Sequence, residues 1–113
     1  MSKRRAELRL AEAALLFGAL GDQTRLALLQ RLSQGGPASI SALSAKFRIS
    51  RQAVTKHLHS LAEAGIIEGR YEGREHIWAL SLDRLAHAQR CLELITRGWD
   101  DALSRLKEHV ERE

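Results

Sequence analysis

The sequence has little of several residue types, and each scarcity narrows the class of protein. A single cysteine, Cys91, excludes an intramolecular disulfide and fits a reducing compartment. Aromatic residues make up only 4% of the chain against 44% for all hydrophobic residues, so a core must be built mainly from leucine, alanine and isoleucine. Only one proline interrupts a sequence rich in good helix formers. We therefore expect one mainly helical domain over residues 1–113.

Other absences bear on function. No apolar run approaches the ~20 residues that a membrane-spanning helix requires. The basic residues 1–10 are not followed by the apolar core of an export signal, so the sequence predicts a cytoplasmic protein. A glycine-rich phosphate loop and a plausible nucleophile–base pair are both missing, which argues against an enzyme and gives no reason to expect a cofactor.

The segment from Ile40 to Ile67 carries the most information. It reads as two helices joined by a tight turn at Arg48 and Ile49, a helix-turn-helix over residues 41–65. Ser41 and Ser50 are predicted to cap the two helices, because a serine hydroxyl can accept an unpaired amide of the first turn. Gly65 stands where a left-handed residue commonly ends a helix.

The second of these helices has two contrasting faces. Val54, Leu58 and Leu61 follow the i, i+4, i+7 spacing of a buried stripe. Every ionised side chain between Lys46 and His59 is positive, and the net charge of +4 also suits a polyanion. Such a helix can lie in the major groove of DNA, where arginine suits guanine and glutamine suits adenine. Its polar face carries Arg51, Gln52, Thr55, Lys56 and His59.

Residues 66–80 predict a β-hairpin. Two β-prone runs, Ile66–Tyr71 and Glu75–Leu80, bracket a turn at Glu72–Gly73. A helix-turn-helix followed directly by a hairpin is a winged helix, so the expected fold is mainly α with one small hairpin. Arg70 and Arg74 would lie at the hairpin tip, where they can reach a phosphate or the minor groove.

Long helices are predicted at both ends of the chain, over residues 4–20 and 83–110. Asp22 is a suitable cap for a helix between them, and Asp83 for the last one. The last helix carries a near-heptad apolar seam that a domain this small cannot bury, so a second copy of the chain is the expected partner. The seam consists of Leu85, Leu92, Ile95, Trp99, Leu103, Leu106 and Val110.

Two motifs make the chain resemble the ArsR/SmtB family of bacterial winged-helix repressors. Leu20–Leu26 is similar to the family's L-x-D-x-T-R segment, with Gln23 where many relatives have proline. Ser50–Leu58, followed by Glu63–Ile67, is similar to its recognition helix and the entry into its wing. The resemblance covers roughly residues 10–110.

The resemblance implies a homodimer whose first and last helices form the interface and whose recognition helices read a near-palindromic operator. It places contacts to DNA at Arg51, Gln52, Thr55 and Lys56, and His57 at the edge of the core. With the residue-based reasoning, the predicted DNA-binding set is Ser50, Arg51, Gln52, Thr55, Lys56, His59, Arg70 and Arg74. The predicted dimer interface contains Leu8, Leu15, Leu92, Ile95, Trp99, Leu103 and Leu106.

The effector is the open question. Members that sense metals often carry two cysteines before the recognition helix, and this chain has none there. Asp83, His87 and Cys91 share one helical face in a ligand-compatible spacing, but the second half of such a site is not convincing. The leading expectation is a metal-independent repressor. The alternatives are a metal- or thiol-responsive repressor and a winged-helix interaction module that does not bind DNA.

Overall fold

The structure, a computed structural model, describes the backbone of residues 2–112 and the side chains of residues 10–112. It is mainly helical with one small antiparallel sheet, which confirms the predicted fold class. In chain order the elements are α1 (Ser2–Leu20), α2 (Gln23–Gly35), β1 (Ala38–Ser39), α3 (Ile40–Phe47), α4 (Arg51–Glu63), β2 (Ile67–Glu72), β3 (Glu75–Leu80) and α5 (Leu82–Arg112).

The sheet consists of the predicted hairpin and one additional short strand. β3 lies in the centre and pairs antiparallel with both β1 and β2. The hairpin turn lies one residue later than predicted, because Glu72 is still paired with Glu75 and the turn falls on Gly73 and Arg74. Gly73 has φ 62°, a left-handed conformation that glycine adopts without steric cost.

Three of the predicted helix ends are confirmed. The Arg25 amide donates to Asp22 Oδ2 at 3.0 Å, so Asp22 caps α2. The Ala53 amide donates to Ser50 Oγ at 3.1 Å, so Ser50 caps α4. Gly65 follows α4 with φ 76°, as its place in the sequence predicted.

Two of the predicted caps were wrong. Ser39, not Ser41, caps α3, because the Ala42 amide donates to Ser39 Oγ at 3.1 Å. Pairing with Ile77 of β3 holds Ser39 extended, and the helix begins directly after it. Asp83 does not cap α5, since α5 begins at Leu82 and Asp83 lies within its first turn.

The core lies where α1 to α4 meet the sheet. Val54, Leu58 and Leu61 of α4 are fully buried, as the spacing predicted. The other large, fully buried side chains come from α1, α2, α3 and the segment that enters β2: Leu16, Leu28, Leu43, Ile66 and Ile67.

α5 stands largely outside this core. Ala88 is its one buried residue among those that the structure describes, and Leu85 packs against the core's edge. An ion pair between Arg84 and Glu12, with Nη1 and Oε2 3.5 Å apart, joins the start of α5 to α1. Across residues 2–112, no helix is both long enough and apolar enough to span a membrane.

Candidate nucleic-acid interface

The orientation of α4 is determined by the turn that precedes it. Arg48 adopts a left-handed conformation with φ 54°, which ends α3. The Ser44 hydroxyl donates to the Ile49 carbonyl oxygen at 2.6 Å and closes the turn. Ser50 caps α4 and the apolar stripe of α4 is buried, so α4 packs in a defined orientation against the core.

The opposite face of α4 is open to solvent. Arg51, Gln52, Lys56 and His59 are exposed, and Thr55 is half-buried beside them. Among residues 10–112, the ion pairs do not include Arg51 or Lys56. Both positive charges are therefore available to a polyanion lying along this face.

Two hydroxyl groups on this helix already have partners in the fold. The Thr55 hydroxyl donates to the Arg51 carbonyl oxygen at 2.7 Å, so its methyl group and its two oxygen lone pairs remain for a ligand. Ser50 Oγ accepts the Ala53 amide, and its hydroxyl hydrogen remains free to donate to a phosphate oxygen. At these two positions the fold limits which contacts to DNA are possible.

His57 lies at the edge of the core, beside the start of α2. Its Nδ1 is 3.9 Å from Asp22 Oδ2. The backbone amide of Arg25 lowers the pKa of Asp22, and the charges of Arg25 and His57 lower it further. The same carboxylate therefore caps α2 and faces His57 of α4, so that the two helices are linked through one side chain.

The two predicted wing arginines have different surroundings. Arg70 Nη2 lies 2.9 Å from Glu72 Oε1, so its charge is partly neutralised. Arg74 lies exposed in the hairpin turn and takes part in none of the ion pairs among residues 10–112. Of the two, Arg74 is the better placed to meet a phosphate.

A row of four rings connects α4 to the wing, and it was missing from the sequence-based prediction. The His59 and Trp78 rings are 6.5 Å apart, those of Trp78 and His76 4.3 Å, and those of His76 and Tyr71 4.4 Å. Gly69 pairs with Trp78, and a Cβ on Gly69 would collide with the His76 ring. The alternation of side chains along the hairpin, with a glycine opposite the tryptophan, was the available signal.

The apolar seam of α5 is exposed from Leu92 onward, whereas Leu85 packs against the edge of the core. Leu92, Ile95, Trp99, Leu103 and Leu106 are 48–66% exposed, and Leu15 of α1 is 53% exposed. The side chain of Leu8 lies outside the described residues. A groove of about 850 Å³ runs between α1 and α5, and its wall includes Leu10, Phe17, His87, Arg90, Cys91 and Leu94.

The structure brings together part of the candidate metal set. His87 Nε2 and Cys91 Sγ are 3.8 Å apart on adjacent turns of α5, whereas Asp83 is exposed in the first turn. Among the residues described, no group of three or more histidine, cysteine or acidic side chains is arranged to hold a metal ion.

A capped helix with a buried stripe and a cationic face, followed by a hairpin that completes a three-stranded sheet, defines a winged helix-turn-helix protein. A family profile described as a helix-turn-helix domain matches residues 20–70. The ArsR-like transcriptional regulator from Rhodococcus sp. RHA1 is 36% identical, with a TM-score of 0.79 over 88% of this chain and 92% of that one.

Two further relatives extend the comparison. The biofilm growth-associated repressor of Agrobacterium fabrum is 34% identical over 79% of this chain and 75% of its own. The homodimeric winged helix-turn-helix domain of Mb0332 from Mycobacterium bovis, a possible ArsR-family regulator, is 25% identical with a TM-score of 0.68, over 93% of both chains. The chain belongs to the ArsR family of winged helix-turn-helix transcriptional regulators.

Proposed function

We propose that this protein is a transcriptional repressor that binds a near-palindromic operator as a homodimer and does not require a metal ion. The observation that carries the proposal is the exposed face of α4, where Arg51 and Lys56 have no acidic partner among residues 10–112. A helix whose opposite stripe is fully buried can present such a face to the major groove without rearrangement. A relative named as a repressor supports the direction of regulation.

The dimer rests on α5 and α1. α5 has 31 residues, so it is about 46 Å long, and its large apolar side chains from Leu92 to Val110 are 48–67% exposed. A second copy packed against the same seam would bury them and create an isologous interface. Two recognition helices related by that symmetry would meet successive major grooves, about 34 Å apart.

Repression would work by occlusion. A dimer seated on promoter DNA blocks access of the polymerase, and it is released when a signal favours a dimer geometry that no longer matches the spacing of the half-sites. Because the seam on α5 sets that geometry, the effector is expected to act through α1 and α5.

One observation favours a second candidate, a thiol- or metal-responsive repressor. Cys91 and His87 are close together in the wall of the α1–α5 groove. A thiolate and an imidazole are both zinc ligands, but a stable site needs further donors. Loss of DNA binding on adding Zn²⁺, reversed in His87→Ala, would establish this alternative.

The test of the proposed function is a fluorescence-anisotropy titration. The purified protein is titrated against DNA from upstream of its own reading frame and against scrambled DNA, at two salt concentrations, with EDTA and then with Zn²⁺. We expect tight binding that is selective for the upstream DNA and is changed neither by EDTA nor by Zn²⁺. If the protein prefers neither duplex, bound fragments are selected from random genomic DNA. If that selection recovers no fragment, the protein is better described as a winged-helix interaction module that does not bind DNA.

Two substitutions separate base reading from simple charge. Arg51→Ala should cost about 1–3 kcal/mol of binding free energy on the operator and reduce the preference for the operator over scrambled DNA. Arg74→Ala should weaken binding to all sequences alike and flatten its salt dependence. An equal loss on operator and scrambled DNA for Arg51→Ala would mean that Arg51 contacts only phosphate.

A further inference from the structure

We propose that Tyr71 and His76 are additional DNA contacts, forming with His59 a continuous strip that binds the sugar-phosphate backbone beside the groove occupied by α4. The inference rests on the proposed function and names residues of the wing that carry part of it. Neither Tyr71 nor His76 belongs to the basic set that composition and helix spacing single out.

The strip is built by cross-strand pairing. Tyr71 of β2 pairs with His76 of β3, so both side chains leave the same face of the hairpin. Their rings are stacked, with an interplanar angle of 17° and centroids 4.4 Å apart. His76 in turn packs against Trp78, and Trp78 faces His59 on α4. The row therefore begins on the exposed face of the recognition helix and ends on the wing.

Trp78 anchors this row. It is only 5% exposed, and its partner across the hairpin is Gly69, so its ring and that of His76 can lie over the neighbouring strand. A stack held by a buried ring loses little conformational freedom when it binds a ligand. The exposed members of the row are therefore preorganised.

Tyr71 is the unusual member of the row. It is a large aromatic residue that is 73% exposed, and among residues 10–112 its hydroxyl takes part in no hydrogen bond. A phenol hydroxyl and an imidazole N–H are donors that suit phosphate oxygens. The strip offers both of these donors on the side of the wing that faces α4.

The distribution of charge around the strip agrees with a polyanion as ligand. Glu72 and Glu75 pair with each other one position beyond Tyr71 and His76, so alternation places both carboxylates on the opposite face of the hairpin. Arg74 lies in the turn between them. The face with Tyr71 and His76 therefore carries donors and no acidic side chain of the hairpin.

The experiment uses substitutions that keep the rings and remove the donors. Tyr71→Phe and His76→Phe should each weaken operator binding about 3- to 10-fold, the effect of one lost hydrogen bond, while the melting temperature stays at that of the wild type. In a phosphate-ethylation interference experiment, both variants should lose interference at the same phosphates of the operator. Glu68→Gln, on the same strand but the opposite face, is the matched control and should not weaken binding.

The outcomes separate this inference from the proposed function. If the wild-type protein binds no duplex, the proposed function fails and the strip fails with it. If the wild type binds and both variants bind equally well with an unchanged interference pattern, only the strip is wrong. Weaker binding accompanied by a lower melting temperature and an unchanged interference pattern would assign the rings to packing, which also overturns the proposal.

Discussion

The two helices α4 and α5 both carry a regular apolar stripe, yet they differ in where that stripe finds its partner. On α4, Val54, Leu58 and Leu61 are fully buried within the chain. On α5, Trp99 is 65% exposed and Leu106 is 59% exposed. The same kind of pattern therefore leads to a completed core in one helix and to an unpartnered surface in the other.

The difference indicates how the two helices divide the work. A stripe satisfied inside the chain fixes the orientation of α4, and its polar face is then free for a ligand. A stripe left exposed requires a partner from outside, because contiguous apolar surface in water is a common mark of an interface. In the proposed function, α4 therefore contacts the DNA and α5 forms the dimer.

The largest effect is expected from a charge placed in the exposed seam. Trp99→Glu should dissociate the proposed dimer, because burying a carboxylate without a partner is costly. Operator binding should then weaken by about 10²- to 10⁴-fold, since two linked half-sites become two separate binding events. Sedimentation velocity gives the oligomeric state, and anisotropy titration on the same sample gives the affinity.

Ser104→Glu is the matched control for that substitution. It adds the same charge to the opposite side of α5, so it should leave both dimer and affinity intact. The proposed role of the α5 seam would be wrong if the wild-type protein sediments as a monomer at micromolar concentration. It would also be wrong if the Trp99→Glu variant remains a dimer.

The next largest effect tests the buried stripe. Leu58→Ala should lower the free energy of unfolding by about 2–5 kcal/mol, because it leaves a cavity in a fully packed core. Leu106→Ala, introduced into the Trp99→Glu monomer, should change it by less than about 0.5 kcal/mol. Urea unfolding followed by circular dichroism measures both, and similar losses would mean that the two stripes are equally buried.

Much of the fold could be predicted because its signals are local. The cap at Ser50, the stripe of α4 and the left-handed Gly65 all lie between residues 50 and 65, and each has its own physical reason. The cap of α3 could not be placed in the same way. A rule that uses only neighbouring residues cannot distinguish Ser39 from Ser41 as the cap. Ser39 is the cap because it pairs with Ile77, which lies far along the chain.

The candidate site was predictable to the same extent. Helical spacing alone brings Arg51, Gln52 and Lys56 to one exposed face. Spacing could not show that Arg70 pairs with Glu72, because both are long side chains with several possible partners. It also could not show the row of rings from His59 to Tyr71, which depends on how the hairpin folds over α4. The roles of these residues in DNA binding remain predictions.

A smaller effect would sharpen the account of how α4 is held. Ser50→Ala should cost about 0.5–2 kcal/mol of stability, because the Ala53 amide loses the side-chain oxygen that caps the helix. Ser41→Ala, within α3, is the matched control and should cost less, since Ser39 caps that helix. Urea unfolding measures both variants, and the reverse order would restore Ser41 as the cap.

The smallest effect is a dependence on pH, and it concerns the carboxylate between α2 and α4. The pKa of Asp22 is lowered in the folded protein, first by the Arg25 amide and then by the charges of Arg25 and His57. A carboxyl whose folded pKa lies below its unfolded value contributes stability above the unfolded pKa. That contribution is lost as the pH falls through the folded pKa.

Asp22→Asn isolates this contribution. Asparagine is also a good helix cap, so the hydrogen bond to the Arg25 amide can persist while the charge is removed. Urea unfolding of both proteins from neutral pH down into the acid range should show wild type more stable at neutral pH, with the difference shrinking as Asp22 takes up a proton. Comparing the two at each pH cancels the groups that titrate in both. A difference that stays constant across the series would mean that Asp22 acts only as a cap, and that its charge does not link α2 to α4.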